Sequence, residues 1–408
     1  MSSVEIRNIE DLIAPLLKPG QQFASCEVEN LLPAGENYGS VMLRIEVKVR
    51  NSSGDQEILH CVAKTCPPSP LLWEIFNTKV SFKKEIAIYT TIVPTLNDFA
   101  KEKGIDNLMN FFAKPIAARI SLDPESKEVD KDAVILLENL KVQGYDTGDR
   151  FVGFDEETTK YLLRELAIMH ATPIAYRSAN PEGFKSKILP YLSKNSHFKP
   201  SDDVINDLIR RTQNAVSGNP KCVPHLSKIE TALREMYEVI KNPPATNDLF
   251  ITIAHNDFWV NNTMLKYEGV KPIGNKIVDF QIIEYSSLAN DVLFFLYTSV
   301  DLRVLEEKVD ELIKLYYDQF IGTLVRLKHD VSAYSFKAML EDFAVVARSM
   351  QFTHVSFMLT PIMILKGKAV ELSELKADDI LMDESALHEN YHKKLEFLLL
   401  DFVKRGWI

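Results

Sequence analysis

The sequence predicts an α+β protein of two lobes, a small antiparallel sheet lobe followed by a larger, mainly helical one. Three observations carry this. Residues 23–65 alternate apolar and polar side chains with the period of half-buried strands. Beyond Gly144 the apolar residues recur instead at helical spacing. Between helical stretches lies a polar cluster, His-Asn-Asp-Phe-Trp-Val-Asn-Asn at residues 255–262, set among short apolar runs. A chain of 408 residues is long enough for two sizeable cores, and the lobes are expected at residues 1–138 and 139–408.

Residues 5–18 read as a lead-in helix that Pro15 interrupts. Strands are expected at 23–30, 40–49 and 57–65. In the second, Val41, Leu43, Ile45, Val47 and Val49 share one face, and Asn51-Ser52-Ser53-Gly54-Asp55 supplies the turn that follows. In residues 81–89, Phe82, Ile86 and Tyr89 form a helical apolar row; Glu85 is displaced from it, toward the third strand. Residues 111–121 and 133–137 complete the sheet across an acidic turn. Leu162, Leu163, Leu166 and Met169 mark a helix at 156–171 that carries His170, read as a packing histidine. Residues 177–247 are helical stretches broken by Pro190, Pro200, Pro220 and Pro243-Pro244, an insertion ahead of the polar cluster. Another helix opens at residue 287, with Asp291 near its start placed to cap amides. Helices are also expected at 311–325, 338–358 and 391–403.

The polar cluster sits in a pattern of strand, loop, strand, turn, strand, ending in Asp279. Asp257 and Asp279 then lie side by side in space. A loop carboxylate, an amide at Asn262 and a carboxylate after the next strands suit phosphoryl transfer. One Asp orients the attacking hydroxyl and accepts its proton, while the amide and the second Asp offer hard oxygen ligands to Mg2+.

His255-x-Asp257-x-x-x-x-Asn262 with Asp279 resembles the catalytic-loop and metal-binding motifs of the protein-kinase-like superfamily, in its aminoglycoside and choline phosphotransferase branch. The fuller wording, with Val-Asp-Phe-Gln at 278–281, resembles the ecdysteroid-kinase-like family of arthropod small-molecule kinases more closely still. Asn256 stands where that family usually has Gly; Asn tolerates left-handed backbone, so the departure is not read as inactivating.

The resemblance implies a two-lobed protein-kinase-like fold using ATP and Mg2+, with Asp257, Asn262 and Asp279 catalytic and the latter two on the metal. Lys64, in Val62-Ala63-Lys64, resembles the kinase lysine that holds the phosphates, with Glu85 as its partner. Gly35, Asn37, Gly39 and Ser40 sit where this fold puts its phosphate-covering loop, and Glu138, Asn139 and Leu140 where the connector's main chain meets adenine. Asp291 resembles a residue that braces the catalytic loop.

The implied acceptor is a hydroxylated small molecule, ecdysteroid-like or another lipophilic alcohol. Phe343, Met350, Phe352, Phe357, Met358 and Met363 read first as helix core and second as its apolar pocket; Trp259 reads as packing the loop. A choline-type or xenobiotic alcohol kinase is the neighbouring reading. A catalytically inactive binding protein on the same fold predicts loss of Asp257, Asn262 or Asp279, and none is lost. A protein kinase is disfavoured, since the short segment from Asp279 to Asp291 has no activation loop and no Ala-Pro-Glu ending.

A net charge of −10 argues against nucleic acid as the main partner. Four cysteines make no disulfide framework, no apolar run is long enough to cross a bilayer, and the acidic N-terminus lacks a signal-peptide core. A cytoplasmic protein without membrane association is expected.

Overall fold

The computed structural model describes residues 6–31, 40–193, 202–241, 247–365 and 386–408. A short helix α1 (Ile9–Ile13) leads into strands β1 (Gln22–Asn30), β2 (Val41–Arg50) and β3 (Gln56–Thr65). Helices α2 (Pro70–Ile75), α3 (Thr78–Ala87) and α4 (Val93–Glu102) follow, then β4 (Pro115–Arg119) and β5 (Val134–Glu138). The five strands make one antiparallel sheet in the order β1-β2-β3-β5-β4. The alternation decides its inner face: Leu43, Ile45, Val47 and Val49 pack with Cys61, Ala63, Val134 and Leu136 under Ile6 and Ile13 of the lead-in segment.

The strand expected over 111–121 is shorter than its sequence, and the reason lies between the lobes. Phe111 and Phe112 leave the sheet; the Phe111 carbonyl accepts from the Ile277 amide at 2.7 Å, and Phe112 bridges Ile277 in parallel. Lys276 adds bonds from its Nζ to the carbonyls of Asn110 (2.7 Å) and Phe112 (3.1 Å). The backbone just ahead of Asp279 is thereby fastened to the sheet lobe.

The second lobe opens with β6 (Asp146–Thr147), α5 (Glu156–Ala179) and α6 (Pro181–Lys187), then α7 (Asp202–Ser217) and α8 (Leu226–Lys241). Strands β7 (Ile251–Ala254), β8 (Thr263–Glu268), β9 (Lys271–Ile277) and β10 (Glu284–Ser287) follow, β7 pairing with β10 and β8 with β9. The chain ends in α9 (Ala289–Ser299), α10 (Leu302–Arg326), α11 (Phe336–Val346), α12 (Phe352–Met363) and α13 (Asn390–Lys404). Every residue of α9 is buried, so it forms the axis on which the other helices pack.

The helix expected at 156–171 runs on to Ala179 through Pro173, and the segment expected to insert at 177 therefore begins inside it. The helix expected over 338–358 is two helices, separated by a π turn at Ala347–Gln351. Periodicity alone does not register one inserted residue in a ladder. Of the prolines expected to break the insertion, Pro200 and Pro243-Pro244 lie outside the described residues. Among the described residues no helix is long and apolar enough to cross a membrane.

Candidate active site

Strand β7 is short and apolar because it is buried against β10, and it ends at Ala254, where the polar loop begins. The β8–β9 hairpin returns the chain to Ile277, so Asp279 emerges beside that loop. Two of the sharp turns are made by left-handed residues that are not glycine: Asn256 at φ +62° and Asp279 at φ +66°. Such backbone costs on the order of 1 kcal/mol, least for Asn and Asp, and persists where its surroundings fix it.

The fixing is visible. Asp291, wholly buried, accepts from the amides of His255 and Asn256, both at 2.6 Å. It also accepts from His170 Nε2 at 2.9 Å, whose Nδ1 then takes the Tyr316 hydroxyl at 2.7 Å. Asp291 does not cap its own helix, as its place in the sequence suggested. His170 is buried as expected, but as a polar link between α5 and α10 rather than as mere filling. His255 donates from Nε2 to the Val278 carbonyl (3.0 Å) and accepts the Asp257 amide at Nδ1 (3.2 Å), the pattern of a neutral ring. Burial holds its pKa below the ordinary value.

Asn262 closes the loop. Its Nδ2 donates to the Asp257 carbonyl and to Asp257 Oδ2, each at 2.8 Å, and its own carbonyl accepts the Val278 amide at 3.0 Å. Burial, and then the charge of Asp279, push the Asp257 carboxyl well above the usual carboxylate range, while bonds from Asn262 and the Trp259 side chain act the other way. Trp259 is half-buried and packs against the core, as its reading in the sequence has it. Gln281 is a residue that reasoning from the sequence left out; its Nε2 reaches Asp279 Oδ2 at 3.2 Å.

Lys64 arrives from the opposite lobe. The register of β3 aligns it with Met42 on one side and Ile135 on the other, with its side chain under the sheet. Its Nζ lies 2.6 Å from Glu85 Oε2 and 2.9 Å from Asp279 Oδ1. Burial alone would drive the ammonium toward its neutral form; Asp279 and Glu85 more than compensate and hold its pKa above the ordinary value. Glu85, 1% exposed, is raised by burial despite its partner. The displacement of Glu85 from its helix's apolar row thus reads correctly: Phe82 and Tyr89 pack in the core and Glu85 faces Lys64.

Of the expected phosphate-loop residues, Ser40 is buried at the entry to β2, while Gly35, Asn37 and Gly39 lie outside the described residues. In the connector, the amides of Glu138 and Asn139 donate to the carbonyls of Lys114 and His60, each at 3.1 Å. The Lys114 amide bonds the Glu138 side chain (2.8 Å) rather than its carbonyl, and the Leu140 carbonyl accepts from Gln143 and Tyr145.

Among the expected apolar pocket residues, Phe343, Phe352 and Met363 are core, which is their simpler reading. Phe357 and Met358 are half-buried and Met350 is exposed. A small apolar cavity lined by Phe280, Ile88, Leu96 and Met169 measures about 10 Å³, room for no more than one water.

The profile of the Ecdysteroid kinase-like family matches residues 34–329. None of the curated proteins compared with the chain matches it. Solved structures similar to it include the GDP and kanamycin complex of APH(2")-IIia, at 13% identity over 93% of this chain and 94% of that one, with a TM-score of 0.41. The GDP complex of wild-type aminoglycoside 2'-phosphotransferase-IIIa shares 12% identity over 99% and 100% of the two chains, with a TM-score of 0.40. Aminoglycoside phosphotransferase APH(3'')-Id from Streptomyces rimosus shares 12% over 78% and 94%, with a TM-score of 0.34. Likenesses this distant assign neither substrate nor residue roles. The family profile spans most of the chain, including both lobes and the loop of Asp257, and on that ground the protein belongs to the ecdysteroid kinase-like family and is a small-molecule kinase.

Proposed function

We propose that the protein transfers the γ-phosphoryl group of ATP, with Mg2+, to a hydroxyl of a lipophilic small molecule, ecdysteroid-like or another alcohol. The observation that carries this reading is one ammonium, Lys64, held between Glu85 and Asp279, next to a loop in which Asn262 is bonded to Asp257. Residues 1–138 then bind the nucleotide and residues 139–408 the acceptor.

Each residue's part follows from its surroundings. Lys64, aimed by Glu85, binds the α- and β-phosphates. The Glu138 carbonyl is bypassed by the neighbouring amide, and with the Leu140 amide it is suited to the adenine edge. Ser40, with Gly35, Asn37 and Gly39, covers the phosphates. Asp257, with its proton affinity raised by burial, orients the acceptor hydroxyl and takes its proton; Asn262 fixes the carboxylate's orientation. Asn262 and Asp279 would hold Mg2+. Their hard oxygens suit it, since Mg2+ takes one or two protein ligands beside phosphates and water, and among the described residues there is no cluster of three His, Cys, Asp or Glu that would make a protein-only site. When bound, the ion neutralises phosphate charge. The half-buried Phe357 and Met358 belong to the acceptor's apolar wall, and the four free cysteines accord with a cytoplasmic setting.

The test is ATP consumption with Mg2+ across a panel of steroid, choline-like, aminoglycoside and phenolic alcohols. Phosphorylated product from one class is expected, lost in Asp257→Asn and Asp279→Asn. A wild-type protein that binds no nucleotide in the presence of Mg2+ would sink the reading.

A further inference from the structure

Lys84 precedes Glu85 on α3. It is 1% exposed. Its ammonium crosses from the sheet lobe to the helical one, donating to the Ile283 carbonyl at 2.8 Å and to the Ser193 carbonyl. Ile283 lies on the segment that leaves Asp279, ahead of β10, and Ser193 lies just past Leu192, whose carbonyl accepts the Tyr285 amide. The neighbouring carboxylate on its own helix, Glu85, is committed to Lys64.

A buried ammonium held by main-chain carbonyls is an expensive way to fill space; an apolar side chain of the same length would cost less. Burial pushes its pKa down to about 8, with the charge of Glu284 acting the other way. What the ammonium supplies and a methionine would not is direction. Two carbonyls from separate segments set where α3 sits relative to the Asp279 loop, and that spacing decides whether Glu85 and Asp279 can both reach Lys64.

We propose that Lys84 is a positioning residue for the phosphate site. It pins the Glu85 helix to the segment following Asp279 and to the chain just past Leu192, so that the Lys64 ammonium is aimed at the nucleotide's phosphates. The inference rests on the nucleotide site proposed above. It predicts a selective defect, because the connector that meets adenine is untouched by Lys84.

The experiment compares wild type, Lys84→Met and Lys84→Arg for binding of ATP with Mg2+ and of adenosine, with urea midpoints recorded alongside. Lys84→Met is expected to weaken ATP binding roughly 10- to 100-fold, the equivalent of one charge-assisted hydrogen bond or somewhat more. Adenosine affinity stays unchanged, and Lys84→Arg, which keeps the donors, recovers most of the ATP affinity. Equal losses for ATP and adenosine would mean a general structural defect and overturn the proposal, as would unchanged ATP binding. Should Lys84→Met fail to fold, the arginine variant decides: ATP affinity no better than adenosine's in Lys84→Arg overturns it. A wild-type protein that binds adenosine but gains nothing from the phosphates refutes the positioning role alone; one that binds neither refutes the nucleotide site as well.

Discussion

Replacing Lys64 by Met strands Glu85, and the cost can be worked in two ways. Lys64 and Glu85 have side chains 4% and 2% exposed and sit 2.6 Å apart, so the pair is a buried one. Removing one partner of such a pair costs about 3–5 kcal/mol, because the other charge stays buried without compensation. The alternative is for Glu85 to take up a proton. Holding it protonated at neutral pH costs about 1.4 kcal/mol for each unit above an ordinary pKa near 4.3, or about 3.7 kcal/mol at pH 7. The two values agree.

The second route fixes the sign of a pH effect. In the variant, Glu85 has a folded pKa above its unfolded one, so the folded state binds more protons and gains stability as pH falls. At pH 5.5 the penalty should shrink to about 1.6 kcal/mol. Replacing Glu85 by Gln in the same background removes the charge altogether. Urea denaturation of wild type, Lys64→Met, Glu85→Gln and the double variant at both pH values is the assay. A coupling of roughly 2–3 kcal/mol at pH 7, falling at pH 5.5, is expected. Additive effects, or a Lys64→Met penalty that ignores pH, would refute the account of Glu85 as a charge compensated by Lys64.

Two further outcomes follow from other sites. Glu165, on α5, accepts from Asn275 Nδ2 at 2.8 Å, and burial raises its pKa to about 7. A raised carboxyl contributes stability below its unfolded pKa, about 4.3 as for Glu85, and loses it as pH rises through 7, so wild type should lose on the order of 2–3 kcal/mol between pH 4.5 and 7.5 that Glu165→Gln keeps; parallel pH–stability curves for the two proteins would refute it. At Asn256, Gly relieves left-handed backbone strain of on the order of 1 kcal/mol but loses the 3.2 Å bond from Nδ2 to the Ile282 carbonyl, of similar size, so Asn256→Gly should leave the urea midpoint nearly unmoved. A large shift in either direction would show that one of the two terms is misjudged.

Local pattern carried much of this molecule. Alternation in residues 41–49 determined which face of β2 is buried, since a strand's side chains can only go to two sides. Helical spacing placed Glu85 off its apolar row, and the order of short apolar runs around residues 255–279 set Asp257 in a loop and Asp279 after a strand. These follow from periods of two and of 3.6, which neighbours in sequence already express.

What the sequence could not contain was the meeting of segments far apart along the chain. Nothing in the sequence around Lys84 points to its two acceptors, because they are backbone carbonyls, and carbonyls have no letter in a sequence. Asp291 reads by its place as a helix cap and by resemblance as a brace of the catalytic loop; the brace is what the fold makes, its partners being the amides of His255 and Asn256, brought to it by the pairing of β7 with β10. In each case the side chain's chemistry was legible from the start. Its partner was decided by tertiary structure, because a buried polar group must bond whatever the fold brings within reach.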